Sequence, residues 1–136
     1  MQAAQKMANV RVDHVIACIA GGRPKSYGLD GTVDIENGLV TDGDIGRVMA
    51  ACDVPDYGEE RDVLHAQPVN FALDNRSGMA DPRGQIGNQL TCDMHMLTVD
   101  SIALQNIYYC IKRCDLELAG IASSAYASGI SSLVED

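Results

Sequence analysis

The stretch SGMADPRGQIGNQL, residues 77–90, places Gly78, Gly84 and Gly87 with Pro82 inside ten positions. Glycine-rich loops cradle phosphates when their backbone N–H groups converge at the start of a helix. The spacing here is different. A Walker loop reads GxxxxGK[ST], and no Gly-Lys-Ser/Thr triplet occurs in the chain. The dinucleotide fingerprint GxGxxG is absent as well. Gly84-x-x-Gly87 leads into an alternating apolar segment, a strand pattern, so no helix dipole is aimed at the loop. Arg83 is the one cation inside it that could meet an anion.

Nucleophile and metal chemistry fare no better. His14, His65 and His95 each fall inside a strand pattern, where a structural histidine with its own partner is the simpler reading. A thiolate–imidazole pair of Cys92 with His95 is disfavoured, because residues three apart in a strand point to opposite faces. Cys110 and Cys114 lie one helical turn apart, but two ligands do not make a structural zinc site. The five cysteines (Cys18, Cys52, Cys92, Cys110, Cys114) contain no CxxC and sit at apolar positions, as buried free thiols in a reducing cytoplasm would. The serines at 123, 124, 128, 131 and 132 lack a GxSxG elbow. No catalytic, cofactor-binding or metal-binding residue is assigned.

Charge is the stronger signal. The formal net charge is −9, which argues against nucleic acid as a partner. Residues 28–62 carry ten acids against Arg47 and Arg61, so nearly all the excess sits in about a quarter of the chain. Any one of these carboxylates reads most simply as part of a solvated face. Together they form a candidate docking surface for a basic partner. Asp42, Asp44, Asp56, Glu59, Glu60 and Asp62 are the candidate partner-binding residues. The 136 residues allow one ordinary domain with a real core. No apolar run approaches the roughly 20 residues of a membrane span. The opening MQAAQKMANV has no secretory h-region.

The elements that would position these residues follow from periodicity. Residues 1–8 read as the end of a helix, and 10–20 as a strand buried on both faces. GGRP ends that strand, and 25–35 is extended chain weakened by Gly28 and Gly31. Thr41 caps a helix, with Asp44 as an acidic capping-box partner. Ile45, Val48, Met49 and Cys52 bury its stripe, and Pro55 stops it. VLHAQP and VNFALD are two short strands broken at Pro68. Residues 88–99 alternate as a half-buried strand, with Leu90, Cys92, Met94 and Met96 on one face. Asp100 caps a helix whose stripe is Leu104, Tyr108 and Ile111, flanked by Ile107, Cys110 and Cys114. A strand at 116–122 and a helix over SAYASGISSLVED complete the chain.

Strand 10–20, helix 100–114 and strand 116–122 make a right-handed βαβ unit. About eighty residues intrude inside it, too many for a loop. The expected fold is therefore an α+β subdomain inserted into an α/β domain. A helix without a start and a sheet with bare edges point to a piece of a longer protein.

The segment 63–98 carries a family pattern. Val63, Leu64, His65, Pro68, Phe71, Leu73, Asp74, Gly78, Met79, Pro82, Gly84, Gly87, His95, Leu97 and Thr98 match it. In this segment the chain resembles FtsA, the actin-like bacterial cell-division family. Gln85 departs from the family's usual Met, and Met79 replaces its usual Ile. VDHVIACIAGGRPKS and CIKRCDLELAGIASSAYASGISSLVED extend the resemblance over nearly the whole chain, in an alphaproteobacterial form.

The resemblance implies an SHS2-type subdomain, called 1C, over residues 21–98: a small antiparallel sheet with a helix. Residues 1–20 and 99–136 would belong to subdomain 1A of an actin/RNase-H-like α/β ATPase. It implies a self-association and recruitment module whose partners are other FtsA subunits and division membrane proteins with basic cytoplasmic tails. The parent would bind ATP and Mg, tether FtsZ and hold the cytoplasmic face of the inner membrane at the division site, all through regions outside these residues. The family's Asp-[Ile/Leu]-Gly-Gly-Gly-Thr phosphate loop would begin just beyond Asp136, so this chain itself would hold no nucleotide. Two other readings stay open. One is the equivalent module of a PilM-like pilus-assembly protein, against which the Val-Leu-His and Gly-Met-x-x-Pro-x-Gly segments weigh. The other is a small nucleotide-binding enzyme domain, against which the missing catalytic groups weigh.

Overall fold

The computed structural model describes residues 2–133. In chain order the elements are α1 (Gln2–Ala8), β1 (His14–Ile19), β2 (Lys25–Asp34), α2 (Asp42–Ala50), β3 (Arg61–Leu73), β4 (Arg76–Met79), β5 (Gln89–Asp100), α3 (Ser101–Lys112), β6 (Glu117–Ser123) and α4 (Ser124–Ser132). They form two compact units. The central unit holds Lys25–Gly58 and His65–Leu97; the flanking unit holds the residues up to Pro24, Glu59–Leu64 and those from Thr98 onward.

In the flanking unit, β1 and β6 pair in parallel, from His14 opposite Glu117 to Ile19 opposite Ser123. Parallel neighbours need a crossover, and α3 lies between them in sequence and packs on β6. The strand expected over 10–20 begins only at His14. It is not buried on both faces: its burial alternates, Ile19 is buried, and Ile16 is 71% exposed. The alternation follows from a two-stranded sheet with helices packed beside it. On α3 the half-buried stripe is Ala103, Leu104, Ile107 and Ile111, while Tyr108 and Cys110 are exposed, as is Cys114 just past its end. Cys18 is exposed too, so only Cys52 and Cys92 meet the expectation of buried thiols. The end of the helix expected to run to Asp136 lies partly outside the described residues, and α4 closes at Ser132.

The central unit is built on a four-stranded sheet of order β2-β5-β3-β4. Its core gathers Leu29, Ile35, Val40, Val48, Cys52, Phe71, Leu73, Leu90, Cys92, Met94 and Met96. The alternation in β5 is as read: Leu90, Cys92, Met94 and Met96 are buried, with Asp93 and His95 exposed between them. Each fully buried Leu or Met of this kind contributes about 1.5–3 kcal/mol. Val48 and Cys52 of the α2 stripe are buried, with Ile45 and Met49 packed beside them. The helix ends at Ala50, ahead of Pro55, where the Ala51 N–H closes on the Arg47 and Met49 carbonyls.

Two expectations about strands change. Pro68 does not divide 61–73, which is one continuous strand. On its β4 side, β3 has partners only at Phe71 and Leu73, so at Pro68 a missing N–H breaks no ladder there. The chain then turns through Asp74 and Asn75, and the first part of the glycine loop is itself a strand, β4, antiparallel to β3. Asp74 takes φ 54°, a conformation that Asp tolerates better than most residues.

Candidate interaction surface

The glycine loop folds back on the central unit. Seven of its N–H groups are bonded within the chain. Gly78 donates to Asn70 Oδ1 (3.0 Å), Arg83 to Asp81 Oδ1 (3.1 Å) and Gln85 to the Pro82 carbonyl (3.2 Å). Gly84 donates to the Val40 carbonyl (3.0 Å) and Gly87 to that of Gly38 (3.1 Å), while Val40 returns a bond to Gln85 (3.0 Å). Asn88 and Gln89 both donate to Asp74 Oδ1, each at 3.0 Å. A phosphate cradle requires these donors to point outward together, and here they do not. Gly78 and Gly84 take φ of 83° and 74°, where glycine is needed.

Arg83 is likewise committed. Its guanidinium grips Asp81 through Nε at 2.8 Å and Nη2 at 2.7 Å, and reaches Asp42 Oδ1 at 3.3 Å. The pair raises the arginine and lowers Asp81 from their ordinary pKa values.

The six acidic candidates divide between the units. Asp42, Asp44 and Asp56 lie in the central unit; Glu59, Glu60 and Asp62 lie in the flanking one. All but Asp44 are exposed. Asp42 opens α2 and meets Arg83, and Asp56 accepts the Gly58 N–H at 2.9 Å. The Glu60 carbonyl accepts the Ser101 N–H at 3.0 Å.

Asp44 is only 8% exposed. Thr41 donates its hydroxyl (2.6 Å) and its N–H (2.9 Å) to Asp44 Oδ2, and Arg47 Nη2 reaches Oδ1 (2.5 Å). The Asp44 N–H returns to Thr41 Oγ1 at 3.4 Å, completing the capping box read from the sequence. This carboxylate therefore serves the start of α2 and is not available to a partner. The Thr41 hydroxyl above all, then Arg47 and the Thr41 N–H, hold its pKa at about 2 against an ordinary 3.8. A depressed carboxylate stabilises the fold above its unfolded pKa, and that contribution disappears as pH falls through the folded one. Asp44→Asn is accordingly expected to remove part of the stability loss that wild type shows between about pH 4 and pH 2. Urea unfolding at stepped pH, followed by circular dichroism, measures it; identical pH slopes for the two proteins would contradict the assignment.

Beside this cap, Glu36, Asn37, Thr41, Gly43, Asp44 and Arg47 line a cavity of about 370 Å³. His14 pairs with Glu117 at 2.9 Å, and His95 is exposed on the face of β5 opposite Cys92. Burial raises the Cys52 thiol and pushes that of Cys92 up to about 11, the opposite of the lowered pKa that activates a nucleophilic thiol. Among the described residues no three His, Cys, Asp or Glu side chains could hold a metal ion, and no helix is long and apolar enough to cross a membrane.

Sequence reasoning missed several polar residues that build this surface. Asn70 and Asp74 organise the loop, and Asn70 Nδ2 also reaches Asp93 at 3.1 Å. The Asp-Asn pair after an apolar strand was the available signal for the hairpin turn.

Comparison with known proteins gives concordant findings. A family model described as the SHS2 domain inserted in FTSA matches residues 21–98. Over all 136 residues the chain is 35% identical to the cell division protein FtsA of Rhizobium meliloti (strain 1021), of which it covers 31%. Over 133 residues it is 35% identical to that of Pseudomonas aeruginosa and 27% identical to that of Escherichia coli (strain K12), covering 98% of this chain and 32% of each relative. The chain thus spans about a third of the length of these curated relatives.

Proposed function

We infer, because this chain belongs to the FtsA family of cell-division proteins and carries the SHS2 domain inserted in it, that it works by protein interaction and assembly. In this reading the central unit contacts other FtsA subunits and recruits division membrane proteins through their basic cytoplasmic tails. It acts at the cytoplasmic face of the inner membrane. ATP and Mg binding, FtsZ tethering and membrane attachment fall to parts of the parent outside residues 1–136.

One observation carries the proposal. The central unit has ten carboxylates against four cations, and its Arg47 and Arg83 are already paired with its own acids. Asp30, Asp34, Asp53 and Asp56 are exposed and have no ion-pair partner among the described residues. Such a surface attracts a basic segment, chiefly by raising its association rate, and salt screens the attraction over about 10 Å at 0.1 M.

A fluorescent Lys/Arg-rich peptide titrated into the chain at rising salt tests this. Binding is expected to weaken steeply with salt and to weaken further in the Asp53→Asn, Asp56→Asn double variant. Absent or salt-indifferent binding would remove the electrostatic reading.

A further inference from the structure

Asp100 stands at the N-cap position of α3, yet its side chain makes no bond to the helix. Its oxygens go to two arginines instead: Oδ1 accepts from Arg61 Nη1 at 3.0 Å, and Oδ2 from Arg23 Nε at 2.7 Å. Distant backbone serves the start of the helix. The Ser101 N–H donates to the Glu60 carbonyl at 3.0 Å, and the Asp100 N–H to that of Gly22 at 2.8 Å. Arg61, its side chain only 9% exposed, uses the rest of its fork on Thr98 Oγ1 (3.0 Å), the Thr98 carbonyl (2.9 Å) and the Arg23 carbonyl (2.7 Å).

Every one of these residues belongs to the flanking unit, but they come from three separate segments: 22–23, 60–61 and 98–101. The chain passes between the units beside each of them, at 24–25, 58–59, 64–65 and 97–98. A carboxylate diverted from the cap its position offers is a local rule broken, and such breaks mark functional or strained places.

We propose that Arg61 and Asp100 form a clasp that makes the first turn of α3 and these three segments one cooperative body. A displacement of α3 is thereby delivered to β3 and β5, both of which continue into the central unit. The physical reason is the geometry of the guanidinium. Its fixed fork is satisfied only when all three segments are in place, and opening one of them leaves a largely buried charge short of partners. Partial opening is therefore disfavoured, and the segments hold or release together. Arg61 and Asp100 are positioning residues in this account.

Hydrogen exchange of the intact chain, resolved by residue, tests the clasp. Asp100→Asn keeps the shape and removes the charge. It is expected to speed exchange at residues 22–23, 61–64 and 100–101 together, by at least ~tenfold, while Leu90–Met96 keep their rates. Arg23→Gln removes only the exposed arm and serves if the first variant does not fold. Its side chain bonds Asp100 and no residue of 61–64, yet exchange there is expected to rise with that at 22–23. Acceleration confined to the substituted residue's own segment, with the other two segments unchanged, would overturn the proposal. So would uniform acceleration that includes Leu90–Met96, which would mark a general loss of stability.

Discussion

Gly31→Ala is expected to destabilise the central unit by about 3 kcal/mol, an overpacking cost at the upper end of the usual range. Gly31 lies in β2 where the end of α2 crosses it. A Cβ there would stand 2.7 Å from the Cys52 nitrogen, 2.8 Å from the Val48 carbonyl oxygen and 2.9 Å from the Ala51 carbonyl carbon. All three are backbone atoms, so no side chain can swing aside. The helix must lift from the sheet, and Val48 and Cys52 lose their packing with it. Gly28, in the same strand, is the control: a Cβ there meets nothing within 4 Å. Gly28→Ala should leave stability within about 0.5 kcal/mol. Urea unfolding of both variants by circular dichroism decides; equal midpoints would refute the packing argument.

The second large effect couples the glycine loop to the core. Leu73 is fully buried, and Leu73→Ala is expected to cost about 2–5 kcal/mol. A Cβ on Gly87 would come within 2.5–2.8 Å of three Leu73 side-chain carbons. Those carbons are packed on every side and cannot yield freely, so Gly87→Ala is expected to cost about 1–3 kcal/mol by overpacking. The two defects have opposite signs of volume. The double variant should therefore lose less than the sum of the single losses, by at least about 0.5 kcal/mol. A four-member unfolding cycle measures this directly. Simple additivity would mean that Gly87 is needed for some reason other than Leu73.

Much of the chain was legible from short-range pattern. The α2 cap could be read because Thr41 and Asp44 are three residues apart and bond to each other. The face of β5 could be read because alternation has a period of two wherever the strand pairs. Pro68 misled because its cost depends on whether a strand pairs on the side its missing N–H faces, and the extent of β4 is not written near it. Asp100 misled for a similar reason. It looks like a cap, but Arg23 and Arg61 arrive from far away in sequence and claim its carboxylate. The acidic surface was legible as composition. That Asp44 is withdrawn from it and Asp56 is not depends on burial, which net charge does not encode.

By itself, then, the sequence determined the membership of the FtsA family, the insertion of one folding pattern within another, and the excess of carboxylates in 28–62. These are properties of residue identity and near-neighbour spacing. Only the tertiary structure decided what the glycine loop is for. Its glycines permit the turns, but the N–H groups of Gly78, Gly84, Asn88 and Gln89 turn inward because Val40, Asn70 and Asp74 lie against them, and all three are at least eight residues away from their loop partners. A hydrogen bond satisfied at long range leaves no trace in local spacing. The same is true of Gly31, whose missing side chain is required by a helix some twenty residues further along the chain.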